Sequence, residues 1–255
     1  MQGSLDNDDA SAVLEKSSVE VSKVALVTGA SRGIGLAVAE ALLNDGFAVA
    51  LNGRDEARLA GVVSRLEESH PGKTLAVAFD VASLAAQQAA VAQVVERFGR
   101  LDLVVANAGV GTYGRVDELT EETWKRVIDT NLTGAFFTVK SAAPALKGSA
   151  GMIITIGSLA GVNFFAGGAA YNASKFGLVG FSQAAMLDLR EHGVRVTTIM
   201  PGSVATGFND RTVTEADAWK IQPQDIAETV LYLYRMPART LPSKVEIRPS
   251  RPPRG

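Results

Sequence analysis

Tyr171 and Lys175 lie four residues apart in a stretch, Ala169 to about Glu191, whose pattern reads as a helix. That spacing puts both side chains on one helix face, about 6 Å apart. An ammonium beside a phenol favours the phenolate and draws its pKa down from ~10, which suits a group that gives or takes a proton. Ser158 follows the apolar run Gly151–Ile156, where a hydroxyl can hydrogen-bond a substrate oxygen. Asn131 falls inside a long helical region expected from about Glu121 to Leu146. Asparagine is a poor helix-interior residue whose amide reorganises nearby backbone or holds water. Each member has an ordinary alternative: a chance pair on a half-exposed helix, a loop serine, a helix kink. The ordered set acquires meaning only if a scaffold brings its members together.

The first scaffold signal is Lys23-Val24-Ala25-Leu26-Val27-Thr28-Gly29-Ala30-Ser31-Arg32-Gly33-Ile34-Gly35-Leu36. A β-branched, apolar run breaks at a glycine and resumes with helical periodicity through Ala37, Val38, Ala41 and Leu42. A strand, tight turn and helix N-terminus in that order bind the pyrophosphate of a nucleotide, because exposed N–H groups and the helix dipole face the anion. The spacing is G-x-x-x-G-x-G, distinct from the G-x-G-x-x-G dinucleotide fingerprint. A glycine turn alone is weak evidence; at the first strand–helix junction of an alternating chain it points to a cofactor.

The alternation continues without a composition break. Further strands are expected at Phe47–Leu51, Thr74–Phe79, Leu101–Ala106, Gly151–Ile156 and Val194–Met200, with a short last one at Lys244–Ile247. Helices are expected between them, with Asp55 and Ser83 as starts and Pro223 opening the last. Strands this apolar, each followed by a helix, imply an α/β fold: a single doubly wound parallel sheet of Rossmann type with helices on both faces. Ligands bind such sheets at the carboxyl ends of the strands, which lines up Gly29, Gly53, Asp80, Asn107, Ser158 and Pro201. One domain is expected over residues 22–248, preceded by a disordered extension over 1–21 and followed by a Pro/Arg-rich tail over 249–255.

Composition narrows the function. The 255 residues are 47% hydrophobic and 20% charged, enough for a well-filled core. A net charge of −2 gives no reason to expect nucleic acid. Absent cysteine, and with only His70 and His192, neither a metal site nor a serine–histidine–aspartate triad is expected. No apolar run nears the ~20 residues that span a bilayer, and the polar, acidic start lacks the features of a signal peptide. A soluble, cytoplasmic protein is the expectation.

Together, Thr28 to Gly35, Asp80, Asn107-Ala108-Gly109, Asn131, Ser158, Tyr171-x-x-x-Lys175 and Pro201-Gly202-Ser203-Val204-Ala205-Thr206 resemble the short-chain dehydrogenase/reductase family in order and spacing. The resemblance covers about Lys23 to Thr206 and is closest to 3-oxoacyl-thioester reductases and small hydroxy-acid dehydrogenases. It implies Tyr171 as general acid–base and Lys175 as the group that holds the nicotinamide ribose and lowers the Tyr171 pKa. It further implies Ser158 on the substrate oxygen and Asn131 supporting a proton-relaying water. For the cofactor it implies the loop residues Gly29, Ser31, Arg32, Gly33, Ile34 and Gly35, with Asp80 and Val81 at adenine. Asn107 would brace the central strands, Ala108 and Gly109 would line ribose, and Pro201, Gly202, Val204 and Thr206 would hold the carboxamide. The short polar stretch between Thr206 and Pro223 departs from the family pattern. A homodimer through the helices of Asn131 and Tyr171 is implied, with a homotetramer the other possibility.

Cofactor choice follows from the second strand. An NAD enzyme usually ends it with an acid that grips the ribose 2′-hydroxyl. Here Gly53 stands there, followed by Arg54, and Arg32 lies in the glycine loop, so NADP(H) is expected. The resulting expectation is an NADP(H)-dependent oxidoreductase acting on a small carbonyl or alcohol. A catalytically silent NADP(H) sensor is the alternative, and a P-loop phosphotransferase is excluded by the missing Gly-Lys-Ser/Thr ending.

Overall fold

The computed structural model describes residues 23–252. The extension expected over 1–21 and the last three residues of the expected tail lie outside them. Among the described residues, seven strands form one parallel sheet: β1 (Val24–Val27), β2 (Ala48–Gly53), β3 (Thr74–Ala78), β4 (Leu103–Ala106), β5 (Met152–Ile156), β6 (Arg195–Pro201) and β7 (Lys244–Ile247). Their order is β3-β2-β1-β4-β5-β6-β7, and every ladder is parallel. The order reverses direction between β1 and β4, the position where doubly wound sheets open a crevice.

The strands are apolar on both sides because both sides are covered. Every residue of β1, β4 and β5 is buried. Helices α1 (Gly33–Asn44), α2 (Glu56–Ser69) and α7 (Pro223–Arg235) cover one face, packing Leu42, Leu59 and Val230 beside Val27 and Leu51. On the other face lie α3 (Leu84–Phe98), α5 (Gly134–Ser149) and α6 (Ala169–Leu189), where Val94, Ala142 and Ala185 meet Val104 and Ile153. Edge strand β7 turns Lys244 and Glu246 to solvent, charges that discourage further pairing.

The helix starts behave as their sequences suggest. Asp55 caps α2 by accepting from Arg58 N at 3.0 Å, and Ser83 caps α3 by accepting from Ala86 N at 3.3 Å. Pro223 is the first residue of α7, where its missing N–H costs nothing. The long helix expected from Glu121 to Leu146 runs unbroken in backbone conformation but switches to a π-helical segment at Asp129–Thr133, between α4 (Glu121–Ile128) and α5. A π-bulge is where a helix inserts an extra residue, frequently at functional sites, and this one centres on Asn131. No helix among the described residues is long and apolar enough to cross a membrane.

At the opposite edge of the sheet from the crevice, Asp102 is a buried carboxylate that holds the start of β1. It accepts from Val24 N at 2.9 Å and from the Arg100 guanidinium at 2.9 and 2.6 Å. Asp102→Ala leaves the Val24 N–H buried without a partner, a cost of about 1–3 kcal/mol. The urea midpoint is expected to fall accordingly, with an unchanged m-value; an unchanged midpoint would show that water replaces the carboxylate freely.

Candidate active site

The carboxyl ends of the central strands frame a cleft of about 1260 Å³. Its floor is the turn after β1. Gly29 adopts φ +65°, open to glycine at little cost, and a Cβ on Gly35 would fall 2.4 Å from Gly29 O. The turn is stitched to both neighbours. Thr28 Oγ1 accepts from Asn107 N and Ala108 N, both at 3.0 Å, while Asn107 Nδ2 donates to Thr28 O at 2.9 Å and Gly29 O at 3.2 Å. On the other side, Asn52 Oδ1 accepts from Gly29 N at 3.3 Å, and its Nδ2 donates to Val77 O and Phe79 O, both at 3.1 Å.

At the far end, α6 brings Tyr171 and Lys175 to the cleft, with Ser158 facing them from the loop after β5. Lys175 Nζ is 5.8 Å from the centre of the Tyr171 ring and donates to Ile156 O at 3.0 Å. A Cβ on Gly109 would sit 3.8 Å from that Nζ, so the ammonium borders the wall formed after β4. Behind this wall Asn131 is buried. Its Oδ1 accepts from Val110 N at 2.8 Å, and its Nδ2 donates to Val110 O at 2.9 Å and Ser174 Oγ at 3.0 Å. Ser174 in turn donates to Tyr171 O at 2.8 Å, which ties the π-helical segment to the Tyr171–Lys175 turn.

Of the residues expected to bind cofactor, Gly29, Ser31, Arg32, Gly33, Ile34, Arg54, Val81, Asn107, Ala108, Gly109, Pro201, Gly202, Val204 and Thr206 all line the one cleft. Gly35 lies beneath it. Asp80 is not among the lining residues; its exposed carboxylate accepts from Ala82 N at 2.9 Å, next to Val81, which does line the cleft. A glycine-lined anion cradle at one end and a lysine–tyrosine–serine cluster at the other fit a long dinucleotide with its reactive end beside Tyr171. Residues 23–217 match the sequence model of the short chain dehydrogenases. The chain belongs to that family.

Among relatives of this short-chain dehydrogenase, a trans-4-hydroxycyclohexanecarboxylate dehydrogenase from Sinomonas cyclohexanicum is 40% identical over 224 residues, 83% of this chain and 85% of that one. An alcohol dehydrogenase from the archaeon Thermococcus sibiricus, solved with 5-hydroxy-NADP, superposes with a TM-score of 0.85 at 31% identity, covering 91% of this chain and 99% of that one. A metagenomic short-chain oxidoreductase solved with NADP gives 0.79 at 37% identity, covering 90% and 98%.

Electrostatics in the cleft differ from the sequence expectation. The phenol was expected to be drawn down by Lys175, but burial dominates. It pushes Tyr171 up to about 12; a hydrogen bond with Ser158 draws it partly back, and neighbouring Tyr113 raises it further. Burial also pushes Lys175 down to about 8. At about 8, Lys175 is still mostly charged at neutral pH, yet burial is the larger effect on the phenol.

Sequence reasoning missed several residues of this short-chain dehydrogenase that shape the site. Asn52 is a polar residue ending an apolar strand, and that interruption was the available signal. Ser174 sits three residues after Tyr171, with nothing local to mark its bond to Asn131. Tyr113, Phe165 and Phe208 come from separate loops and carry no sequence signal.

Because Lys175 is depressed only in the folded chain, the unfolded chain holds more protons between about pH 8 and the ordinary lysine value of 10.5. Stability therefore rises with pH in that window. Tyr171 acts oppositely above its ordinary value of 10.0, where the unfolded phenol ionises first. Urea midpoints of the cofactor-free protein are expected to climb between about pH 8 and 10, and Lys175→Met to abolish the climb. A climb that survives in Lys175→Met would assign it to another group.

Proposed function

We propose that this short-chain dehydrogenase transfers hydride between NADP(H) and a carbonyl or secondary alcohol, with Tyr171 as general acid–base. The observation that carries the reading is the convergence of Tyr171, Lys175 and Ser158 at one end of a cleft whose other end is the glycine turn. When bound, the nicotinamide supplies or accepts the hydride. The chain does the rest. Ser158 holds the substrate oxygen, and Tyr171 donates its proton there on reduction and takes one back on oxidation. The raised pKa keeps Tyr171 protonated at neutral pH, as reduction requires. Lys175 holds the ribose beside the Gly109 wall, and Asn131 positions the Tyr171 helix through Ser174. A silent sensor would not explain why a buried lysine and a half-buried tyrosine meet the half-buried Ser158.

Support for NADP(H) over NAD(H) comes from the end of β2, where Gly53 takes the place of an acid and exposed Arg54 borders the cleft with Arg32. Asp55 also lines the cleft, but its carboxylate is engaged at the start of α2, where it accepts from Arg58 N. Two of the similar solved structures carry NADP or its 5-hydroxy derivative. The substrate we propose is a secondary alcohol on an alicyclic ring or its ketone, as in the hydroxycyclohexanecarboxylate relative. A homodimer through α4, α5 and α6 is proposed on Trp124, Phe136 and Phe176, apolar side chains left exposed on those helices.

Two variants test the reading. Tyr171→Phe keeps the ring's packing and is expected to bind NADPH normally while losing about 10²–10⁴-fold in turnover; near-normal turnover would sink the role of the hydroxyl. Arg54→Ala removes one charge-assisted contact to the 2′-phosphate and is expected to cut the preference for NADPH over NADH by about tenfold or more. Equal dissociation constants for the two cofactors in the unmodified protein would defeat the NADP(H) assignment.

A further inference from the structure

The wall of the cleft next to Tyr171 is aromatic and continuous out to the rim. The Tyr113 ring stands edge-on to Tyr171 at 5.6 Å and to Phe165 at 5.7 Å, and Phe208 flanks Tyr171 at 6.3 Å. Tyr113 is 52% exposed, Phe165 46% and Phe164 86%. Large apolar side chains clustered in the open beside a reacting group mark a surface that something apolar covers.

The platform is built, not draped. Gly114 N donates to Gly167 O at 2.8 Å, joining the loop after β4 to the loop before α6. Asn172 holds the second loop by donating to Ala160 O at 2.7 Å and Asn163 O at 2.8 Å, and by accepting from Phe165 N at 3.3 Å. Asn209 Oδ1 accepts from Gly111 N at 3.1 Å and ties the Phe208 segment to the first loop. Rings held by this many backbone bonds offer a pre-formed surface, and a ligand spends little ordering it.

The two loops of that wall carry no charged side chain of their own. Neither residues 110–114 nor 162–168 include an ionisable group other than the Tyr113 phenol; of the cations beside them, Arg126 donates to Thr112 Oγ1 at 2.9 Å and Arg115 faces Asp117 at 3.2 Å. Arg211 and Lys220 both turn to Asp217. Their segment leans toward the glycine turn, since a Cβ on Gly207 would lie 3.5 Å from Arg211 O and 3.9 Å from Arg32 Nη1. Arg248 faces Glu246 at 2.8 Å. A carboxylate laid on the aromatic rings would lose its water, whereas the described cations near them are already engaged by Thr112, Asp117, Asp217 and Glu246.

Resting on the oxidoreductase reading above, we infer that this site selects neutral ketones and alcohols with an extended apolar ring system, the body of the substrate lying on Tyr113, Phe164 and Phe165. Small keto and hydroxy acids are then poor substrates. The protein saturated with NADP⁺ forms a non-reacting complex with ketones, so binding can be read by quenching of tryptophan fluorescence, Trp219 being part of the cleft lining. The probes are cyclohexanone, 2-decalone, a tetracyclic 3-ketosteroid and 4-oxocyclohexanecarboxylate, and NADPH consumption is followed with each in parallel. Affinity is expected to rise at least about tenfold from one ring to two, and the acid to bind at least about tenfold more weakly than cyclohexanone. In Phe164→Ser the ratio of two-ring to one-ring affinity is expected to fall about fivefold, whatever the absolute values. Affinity independent of ring number, tighter binding of the acid, or an unchanged ratio in Phe164→Ser would each overturn the inference. Binding that follows ring size without turnover of any ketone would leave the platform standing and defeat the oxidoreductase reading. Turnover of cyclohexanone with no size dependence would do the reverse.

Discussion

A parallel sheet that ends at one edge leaves the last strand carbonyls and the first loop amides without ladder partners, and buried backbone groups must find them elsewhere. In this chain the partners are side-chain amides and one hydroxyl. Asn107 and Thr28 close the gap between β1 and β4, Asn52 closes that between β1 and β3, and Asn131 holds the loop after β4. Each is a polar residue at a place where the sheet could not otherwise stop. The same bonds that satisfy the backbone immobilise the turns facing the cleft, so the anion cradle and the wall behind Lys175 are rigid for a reason internal to the fold.

The same device couples the two ends of the site. Gln87 is buried and donates to Val81 O at 2.7 Å and Gly134 O at 3.0 Å. Val81 lines the cleft on the side of the glycine turn, whereas Gly134 closes the π-helical segment that carries Asn131. A Cβ on Gly134 would lie 2.8 Å from Val81 Cγ2, so the two segments touch directly. From there the path runs through Asn131 and Ser174 to Tyr171, a chain of hydrogen bonds between fully packed groups. Displacing the wall at one end is resisted by the position of the helix at the other.

Burying a lysine and a tyrosine together opposes folding, and the cleft shows how far the fold tolerates it. Among the described residues Lys175 makes one hydrogen bond and no ion pair, and burial pushes its pKa down to about 8. Tyr171 is surrounded by rings that stabilise the neutral phenol. A group whose proton is governed by desolvation responds strongly to whatever charge enters the cleft, which is the behaviour a site needs if chemistry is to wait for its ligands.

Much of the fold was legible from local pattern. Alternating apolar runs located the strands, including β7, and Asp55, Ser83 and Pro223 marked helix starts, because burial periodicity and capping are properties of neighbouring residues. The glycine spacing and the Tyr171–Lys175 interval located the site for the same reason: both are read within a few residues. Tertiary structure decided the rest. The π-helical segment between α4 and α5 holds Asn131, whose amide bonds Val110 and Ser174, 21 and 43 residues away. Asp80 spends one carboxylate oxygen on the N–H of Ala82, two residues on. The aromatic wall exists because loops 110–114 and 162–168 meet, and the pKa of Tyr171 rises because burial outweighs the hydrogen bond with Ser158. Local sequence encodes which side of an element is buried, whereas partners and desolvation depend on segments that only the folded chain brings together.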